Sequence, residues 1–309
     1  MVFFSIIVPT YNRANLLKRT IESIIEQKYS DFELIIIDDG STDKTDEVIK
    51  DFLGFCKFIK QNNLGPSFAR NRGAELSSGQ YLVFLDSDDL YFKWTLDIYY
   101  KTILDFNFPA IVTGSPYIFT EETNLTNVTY EPLIVESFPD YFASADKWRW
   151  FSASSFVIRK DYFEAVNGFN NKWGAEDADI LMRLGTCPGF VHICKPYTFA
   201  YRQQSISLKS DSSYIKGSSQ VLINSEKQGI YPGFNPRALE RYQILTRATR
   251  PASLDCLHCG LYQDAWKIYK QTIFWNFKLL RWKYLFTFPF LIIGFKIRST
   301  ISHIIHNSQ

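Results

Sequence analysis

Short apolar runs alternate with amphipathic stretches through the first hundred positions of the chain. Phe3-Phe-Ser-Ile-Ile-Val8 is an apolar strand stopped by Pro9-Thr10. From Asn15 to Gln27, Leu16, Leu17, Ile21, Ile24 and Ile25 share one helical face, with polar residues opposite. Phe32-Glu-Leu-Ile-Ile-Ile37 reads as a second strand. The turn-rich Asp38-Asp-Gly-Ser-Thr-Asp43 follows, with Ser41 and Thr42 placed to cap a helix running to about Phe52. A strand at Cys56–Lys60, a helix around Phe68–Ser77 and the run Tyr81-Leu-Val-Phe-Leu85 complete the alternation. This order predicts a Rossmann-like α/β fold, a mostly parallel sheet with helices on both faces. Ligands of such sheets bind outside the carboxyl ends of the strands.

The residues that break the apolar pattern fall at those ends: Pro9-Thr-Tyr11, Asp38-Asp39 and Asp86-Ser-Asp-Asp89. In an extended segment, side chains at i and i+2 point the same way, so Asp86 and Asp88 can converge on one cation. Hard oxygen ligands suit Mg²⁺ or Mn²⁺, which are typically held by one or two carboxylates plus substrate phosphates. A solvated acidic turn is the other reading of that cluster taken alone. The coincidence of three polar strand ends favours the metal. No G-x-G-x-x-G follows the first strand and no Walker loop occurs, which argues against dinucleotide and P-loop sites. Asp38–Asp43 lacks the ligand spacing and terminal Glu of an EF-hand.

Residues 101–205 are less regular, with a polar stretch at Thr120–Thr129 and the aromatic island Trp148-Arg-Trp150-Phe151. Ser154-Ser-Phe-Val-Ile-Arg159 predicts another strand and Lys160–Val166 a helix, with Gly168 as its C-cap. Glu176-Asp177 opens an amphipathic helix, where acidic residues are favoured by the helix dipole whatever else they do.

Composition narrows the picture. A formal charge of +2 over 309 residues gives no field that would mark a nucleic-acid binder. The five cysteines form no framework, and Cys256-Leu-His-Cys259 has no second pair to complete four zinc ligands. Reduced thiols and the absence of a basic, apolar leader at Val2–Val8 predict a cytoplasmic protein.

In this order the chain resembles the family 2 glycosyltransferases, enzymes of the GT-A fold. The resemblance rests on Ser5-Ile-Ile-Val-Pro-Thr-Tyr-Asn-Arg13, Ile36-Ile-Asp-Asp-Gly-Ser-Thr-Asp43 and Gln61-Asn-Asn-Leu-Gly-Pro-Ser-Phe-Ala-Arg-Asn-Arg-Gly73. Phe84-Leu-Asp-Ser-Asp-Asp89, Gly174-Ala-Glu-Asp177 and Tyr201-Arg-Gln-Gln204 complete it, over residues 3–207. It implies an inverting, metal-dependent transferase that uses a nucleotide-diphosphate sugar, with UDP the commonest nucleotide of the family. Pro9, Thr10, Tyr11, Arg13, Asp39 and Asn63 would line the donor pocket, Thr10 and Tyr11 beside base and ribose and Asp39 holding one of them. Arg70 and Arg202 would meet the anionic side. Asp86, Ser87 and Asp88 would hold ribose and the metal–diphosphate, with Asp89 as a further metal ligand. Asp177 would be the general base and Glu176 would position the acceptor, or the two roles are exchanged. Family members often carry a histidine where this chain has Gln204, which puts its metal use in doubt.

The implied organisation is a catalytic domain over 1–220 (a nucleotide half, 1–100, and an acceptor half, 101–220) and a helical extension over 221–309. Within the extension, Gly260–Tyr269 has the spacing of one helix of a helical hairpin. The run Tyr284–Phe295 is too short for a bilayer span, is broken by Pro289, and is flanked by cations. Segment 275–298 is therefore expected either to lie on a membrane surface from the cytoplasmic side or to dock on protein. Expected partners are the donor and a cell-surface glycan or lipid-linked saccharide acceptor. Trp148, Trp150 and Trp173 are candidate sugar platforms, and an oligomer is compatible with the chain. A catalytically inactive nucleotide-sugar-binding scaffold is the alternative, and a nucleotidyltransferase a weaker third, since Pro9–Arg13 is no glycine- and lysine-rich phosphate loop.

Overall fold

A computed structural model describes residues 2–149, 151–171, 174–203 and 212–307. Trp150, Trp173 and Gln204 lie outside the described residues. The chain divides into two units, the first comprising 2–141, 149, 151–171 and 186–203 and the second 142–148, 174–185 and 212–307. The division differs from the expected break at residue 220, because the Glu176–Asp177 segment goes with the C-terminal helices.

The first unit is built on an eight-stranded sheet. Its parallel half sets β3 (Cys56–Lys60), β2 (Phe32–Asp38), β1 (Phe4–Thr10) and β4 (Tyr81–Phe84) side by side. Beyond β4, β9 (Phe156–Arg159) runs antiparallel to both β4 and β6 (Ile111–Gly114), and β10 (Phe190–Lys195) and β8 (Ile134–Phe138) finish the order. Every residue of β1 is buried, as expected of a central strand covered on both faces. The helices α1 (Ala14–Ile25), α2 (Thr45–Lys50), α3 (Pro66–Glu75), α4 (Thr95–Asp105) and α5 (Lys160–Ala165) follow their strands. Leu17, Ile21 and Ile24 of α1 join the main core with Ile6, Val8, Leu34 and Ile36. On α3, Gly73 permits close approach, since a Cβ there would lie 2.4 Å from Ile7 Cγ2. A second sheet orders β5 (Leu90–Tyr91), β11 (Phe199–Arg202) and β7 (Pro116–Phe119).

Two local expectations are corrected. Ser41 and Thr42 do not cap α2: Ser41 Oγ accepts Asn12 N–H and Thr42 N–H donates to Asn12 Oδ1, tying two loops together. Asp43 closes the turn just ahead of the helix, accepting from Thr45 N–H at 3.1 Å and Thr45 Oγ1 at 2.5 Å. The strand expected from Ser154 starts at Phe156, because Ala153–Ser155 closes a 3-10 turn. Gly168 does sit just past α5 with φ +64°, donating to Phe163 O.

The second unit is helical: α6 (Glu176–Arg183), α7 (Ser212–Lys227), α8 (Ala238–His258), α9 (Tyr262–Lys278) and α10 (Trp282–Asn307). Arg241 of α8 is buried against Glu226 of α7 and also donates to the carbonyls of Pro232 and Phe234. The expected hairpin is α8–α9, turning at Gly260. Pro289 does not break the last helix. Its ring removes the N–H that would bond to Leu285 O, and the Tyr269 hydroxyl donates to that carbonyl instead, at 2.8 Å.

At the amino end of β2, Glu33 Oε1 accepts from Ser5 Oγ, Ser78 Oγ and Ser78 N–H, and Oε2 from Lys57 Nζ at 2.6 Å. Burial pushes this carboxyl up, but the Lys57 and Ser78 donors outweigh it and hold it at about 2, below its ordinary 4.5. A depressed folded value makes the contribution complete above the ordinary value and lost as pH falls toward the folded one. Urea unfolding should therefore find Glu33→Gln less stable than wild type at pH 7, with the gap closing between pH 4.5 and pH 2. A gap that persists unchanged to pH 2 contradicts the assignment.

Candidate active site

The parallel strands β1, β2 and β4 bring Thr10, Asp38 and the Asp86–Asp89 segment to one carboxyl-end rim, where an open α/β sheet binds its ligands. Two loops are locked there. Asn12, at φ +52°, carries the Ser41 and Thr42 bonds, and Ala14 N–H donates to Asp43 Oδ2 at 3.0 Å. Burial pushes the Asp43 carboxyl up, yet the Thr45 hydroxyl and the backbone donors leave it below its ordinary value.

Asp39 sets the third loop. Its Oδ1 accepts Gln61 Nε2 at 2.7 Å and Leu64 N–H at 2.9 Å, and its Oδ2 accepts Gly65 N–H at 2.8 Å. Three donors occupy a carboxylate that offers about four acceptor positions, so one direction remains among the described residues. Gly40 allows the loops to meet, since at φ +86° a Cβ would stand 3.1 Å from Asn63 N. Gly65 and Pro66 then start α3, with proline in the first turn, where its missing N–H costs nothing.

That helix delivers Arg70. Its Nη2 reaches Asp86 Oδ1 at 2.6 Å and its guanidinium lies 5.4 Å from the Phe169 ring centroid. Asp88 Oδ1 pairs with Arg13 Nη1 at 2.8 Å. Burial pushes the Asp88 carboxyl up, Arg13 pulls it down and Asp86 pushes it up again, with a net rise. Asp89, expected as a further metal ligand, is turned inward as a strut. It is 1% exposed, with Oδ2 accepting Ser154 Oγ at 2.5 Å and Oδ1 accepting Arg202 N–H at 3.1 Å. Burial, then Asp86 and Asp88, hold its carboxyl well above the ordinary range.

The remaining expected donor residues are also at this rim. Pro9 and Ser87 are buried, and Tyr11 and Asn63 are exposed. Thr10 is buried, with no hydrogen-bond partner for Oγ1 among the described residues; groups of this kind normally meet water or a ligand. Arg202 has one edge of its fork committed, Nη2 to Glu122 Oε1 at 2.6 Å, and its guanidinium stacks 4.7 Å from the Phe119 centroid.

The donor set fits a hard divalent cation only in part. Asp86 and Asp88 supply oxygens on one short segment, each paired with one arginine. No three His, Cys, Asp or Glu side chains form a metal site among the described residues. A cation held here would be completed by substrate phosphates rather than caged by protein.

Glu176 and Asp177 sit in the first turn of α6, after Gly174 and Ala175 in left-handed conformation. Both are half-buried. The helix is anchored two residues on, where buried Asp179 accepts Arg183 Nε at 2.8 Å and the Tyr231 hydroxyl at 3.0 Å. Trp148 is largely exposed.

Sequence reasoning missed Ser154, Gln61 and Glu122. A lone serine 68 positions from the amide it accepts, Asp86 N–H at 3.0 Å, leaves no local signal. Gln61 stood inside a recognised motif, so its spacing from Asp39 was available.

This arrangement is the GT-A fold. The Glycosyl transferase family 2 model matches residues 5–166, and the chain belongs to that family. An uncharacterized glycosyltransferase of Rickettsia bellii is 44% identical over 110 residues, 34% of this chain and 15% of that protein. The poly(ribitol-phosphate) beta-N-acetylglucosaminyltransferase TarP of Staphylococcus aureus is 44% identical over 99 residues, 30% of each chain. The chain thus spans a minor part of these relatives' length. Among solved structures, S. aureus TarS 1-349 superposes with a TM-score of 0.63 at 16% identity, over 83% of this chain and 74% of that one. Its complex with UDP-GlcNAc gives 0.58 at 16% identity, over 90% and 92%.

Ser154 bonds both Asp86 N–H and Asp89. Ser154→Ala should cost about 1–3 kcal/mol in denaturant unfolding, the desolvation of buried groups left unpaired. It should also weaken donor binding, read by calorimetry. A substitution neutral in both measurements contradicts the bracing role.

Proposed function

We propose that the chain is an inverting glycosyltransferase that moves a sugar from a UDP-linked donor to a hydroxyl of a cell-surface glycan or lipid-linked precursor. The observation that carries this reading is the Asp86–Asp88 pair at the sheet's carboxyl rim, set between Arg70 and Arg13 in a member of family 2. UDP and an N-acetylhexosamine are favoured by the names of TarP and of the TarS complex.

In this reading Thr10 and Tyr11 take base and ribose, and the acceptor direction left on Asp39 holds a base N–H or ribose hydroxyl. Asn63, Pro9 and Ser87 shape the pocket by backbone contact. Arg70, Arg13 and Arg202 draw in the diphosphate. Its approach gives Arg13, the more exposed of the Asp86–Asp88 partners, an anion to turn to. Asp86 and Asp88 would hold Mn²⁺ or Mg²⁺, which would supply positive charge against the nucleoside diphosphate. Asp177 removes the acceptor hydroxyl's proton as that oxygen attacks the anomeric carbon, and Glu176 positions the acceptor. The bond to the diphosphate breaks from the opposite face, so configuration inverts. These two roles rest on the Gly174-Ala-Glu-Asp177 motif and on the anchoring of its helix through Asp179.

The scaffold alternative keeps the donor pocket and drops the transfer. Labelled UDP-sugar transfer to a membrane extract, with calorimetric UDP binding alongside, separates the readings. Asp177→Asn should lower transfer by about 10²–10⁴-fold, the range of a lost general base, with UDP affinity unchanged. Full turnover in that variant overturns the base assignment. Tight donor binding by a wild-type chain that transfers nothing favours the scaffold.

A further inference from the structure

The outer face of the last two helices is apolar and cationic at once. On α10, Leu285 and Phe288 face inward, Phe288 stacking on Tyr269 with centroids 5.0 Å apart, and Tyr284 Oη meets Ser253 Oγ at 2.9 Å. Trp282, Phe286, Phe290 and Ile293 recur at helical spacing on the opposite side. They are 44%, 66%, 74% and 56% exposed. The stripe continues onto the end of α9. Phe277 meets Trp282 edge-on at 5.4 Å, Trp282 stacks on Phe286 at 6.1 Å, and Leu280 between the helices is exposed. A monomer rarely leaves so continuous an apolar surface without a use for it.

Charge identifies the occupant. From residue 265 to residue 309 the sequence carries seven Lys or Arg and no Asp or Glu. Lys278 and Lys283 stand exposed beside the ring stripe, and Lys278 Nζ lies 5.5 Å from the Phe274 centroid. A second copy of the same face would set cation against cation, and lysine is depleted in the cores of protein interfaces. An anionic lipid surface answers both features, headgroups meeting the ammonium groups and rings entering the acyl boundary. No helix is long and apolar enough to cross a membrane among the described residues.

We propose that the α9–α10 face lies on an anionic bilayer, with Phe277, Trp282, Phe286 and Phe290 as anchors and Lys278 and Lys283 at headgroup level. The face is stiffened for this by the Tyr269–Leu285 bond, which keeps α10 continuous through Pro289.

Co-sedimentation of the full chain with phosphatidylcholine vesicles, with and without phosphatidylglycerol, is the test. The chain should pellet only with phosphatidylglycerol, and high salt should release it. Lys278→Gln with Lys283→Gln should weaken partitioning by about thirtyfold, the effect of two surface cations. Phe286→Ser with Phe290→Ser should abolish it while thermal unfolding and UDP binding stay as in wild type. Failure to pellet with phosphatidylglycerol, or undiminished pelleting of the lysine variant, overturns the proposal. So does a dimer in sedimentation velocity that dissociates in the phenylalanine variant, since the face would then be covered by a second copy.

Discussion

Three carboxylates within four residues cannot share a strand end unless each finds a donor, and that charge balance organises the first unit. Burial first, and then the neighbouring carboxylates, push the carboxyls of Asp88 and Asp89 up. Arg70 meets Asp86, Arg13 meets Asp88, and Asp89 goes inward to Ser154 and the Arg202 amide. Each partner comes from a different element: α3, the loop before α1, the turn before β9, and β11. The cluster therefore joins the parallel sheet to the small second sheet, and its geometry depends on all four being in place.

Asp39 has a comparable position one step back. By fixing Gln61, Leu64 and Gly65 it sets where α3 begins, and α3 aims Arg70 at Asp86. The close contact of Gly73 with Ile7 keeps that helix on β1. A change at Asp39 would thus reach the acidic cluster through a helix, as well as altering any contact Asp39 makes with a donor.

The parallel half of the sheet was legible in the sequence because β1, β2 and β4 are mostly apolar runs ended by proline or acid. Motif order exposed the rim residues, since they follow those runs directly. The division of the chain was not legible: Glu176–Asp177 is separated from the C-terminal helices by a stretch of unremarkable composition, and contacts distant in sequence, such as Asp179–Tyr231, show where α6 belongs. The inward turn of Asp89 was not legible, because its neighbours Asp86 and Asp88 pair with arginines instead. Its burial depends on Ser154 and Arg202, which lie 65 and 113 positions away. Pro289 was misread as a break because the hydroxyl that satisfies its freed carbonyl comes from another helix.

The central claim is that Asp86 and Asp88 hold a nucleoside diphosphate through a divalent cation. Calorimetric titration of UDP into wild type, Asp86→Asn and Asp88→Asn, with Mn²⁺ and with chelator, tests it most directly. Wild type should bind UDP at least about tenfold more tightly with Mn²⁺, a difference of roughly 1.4 kcal/mol, and that gain should vanish in both variants. Equal UDP affinity with Mn²⁺ and with chelator in the wild-type chain would contradict the account.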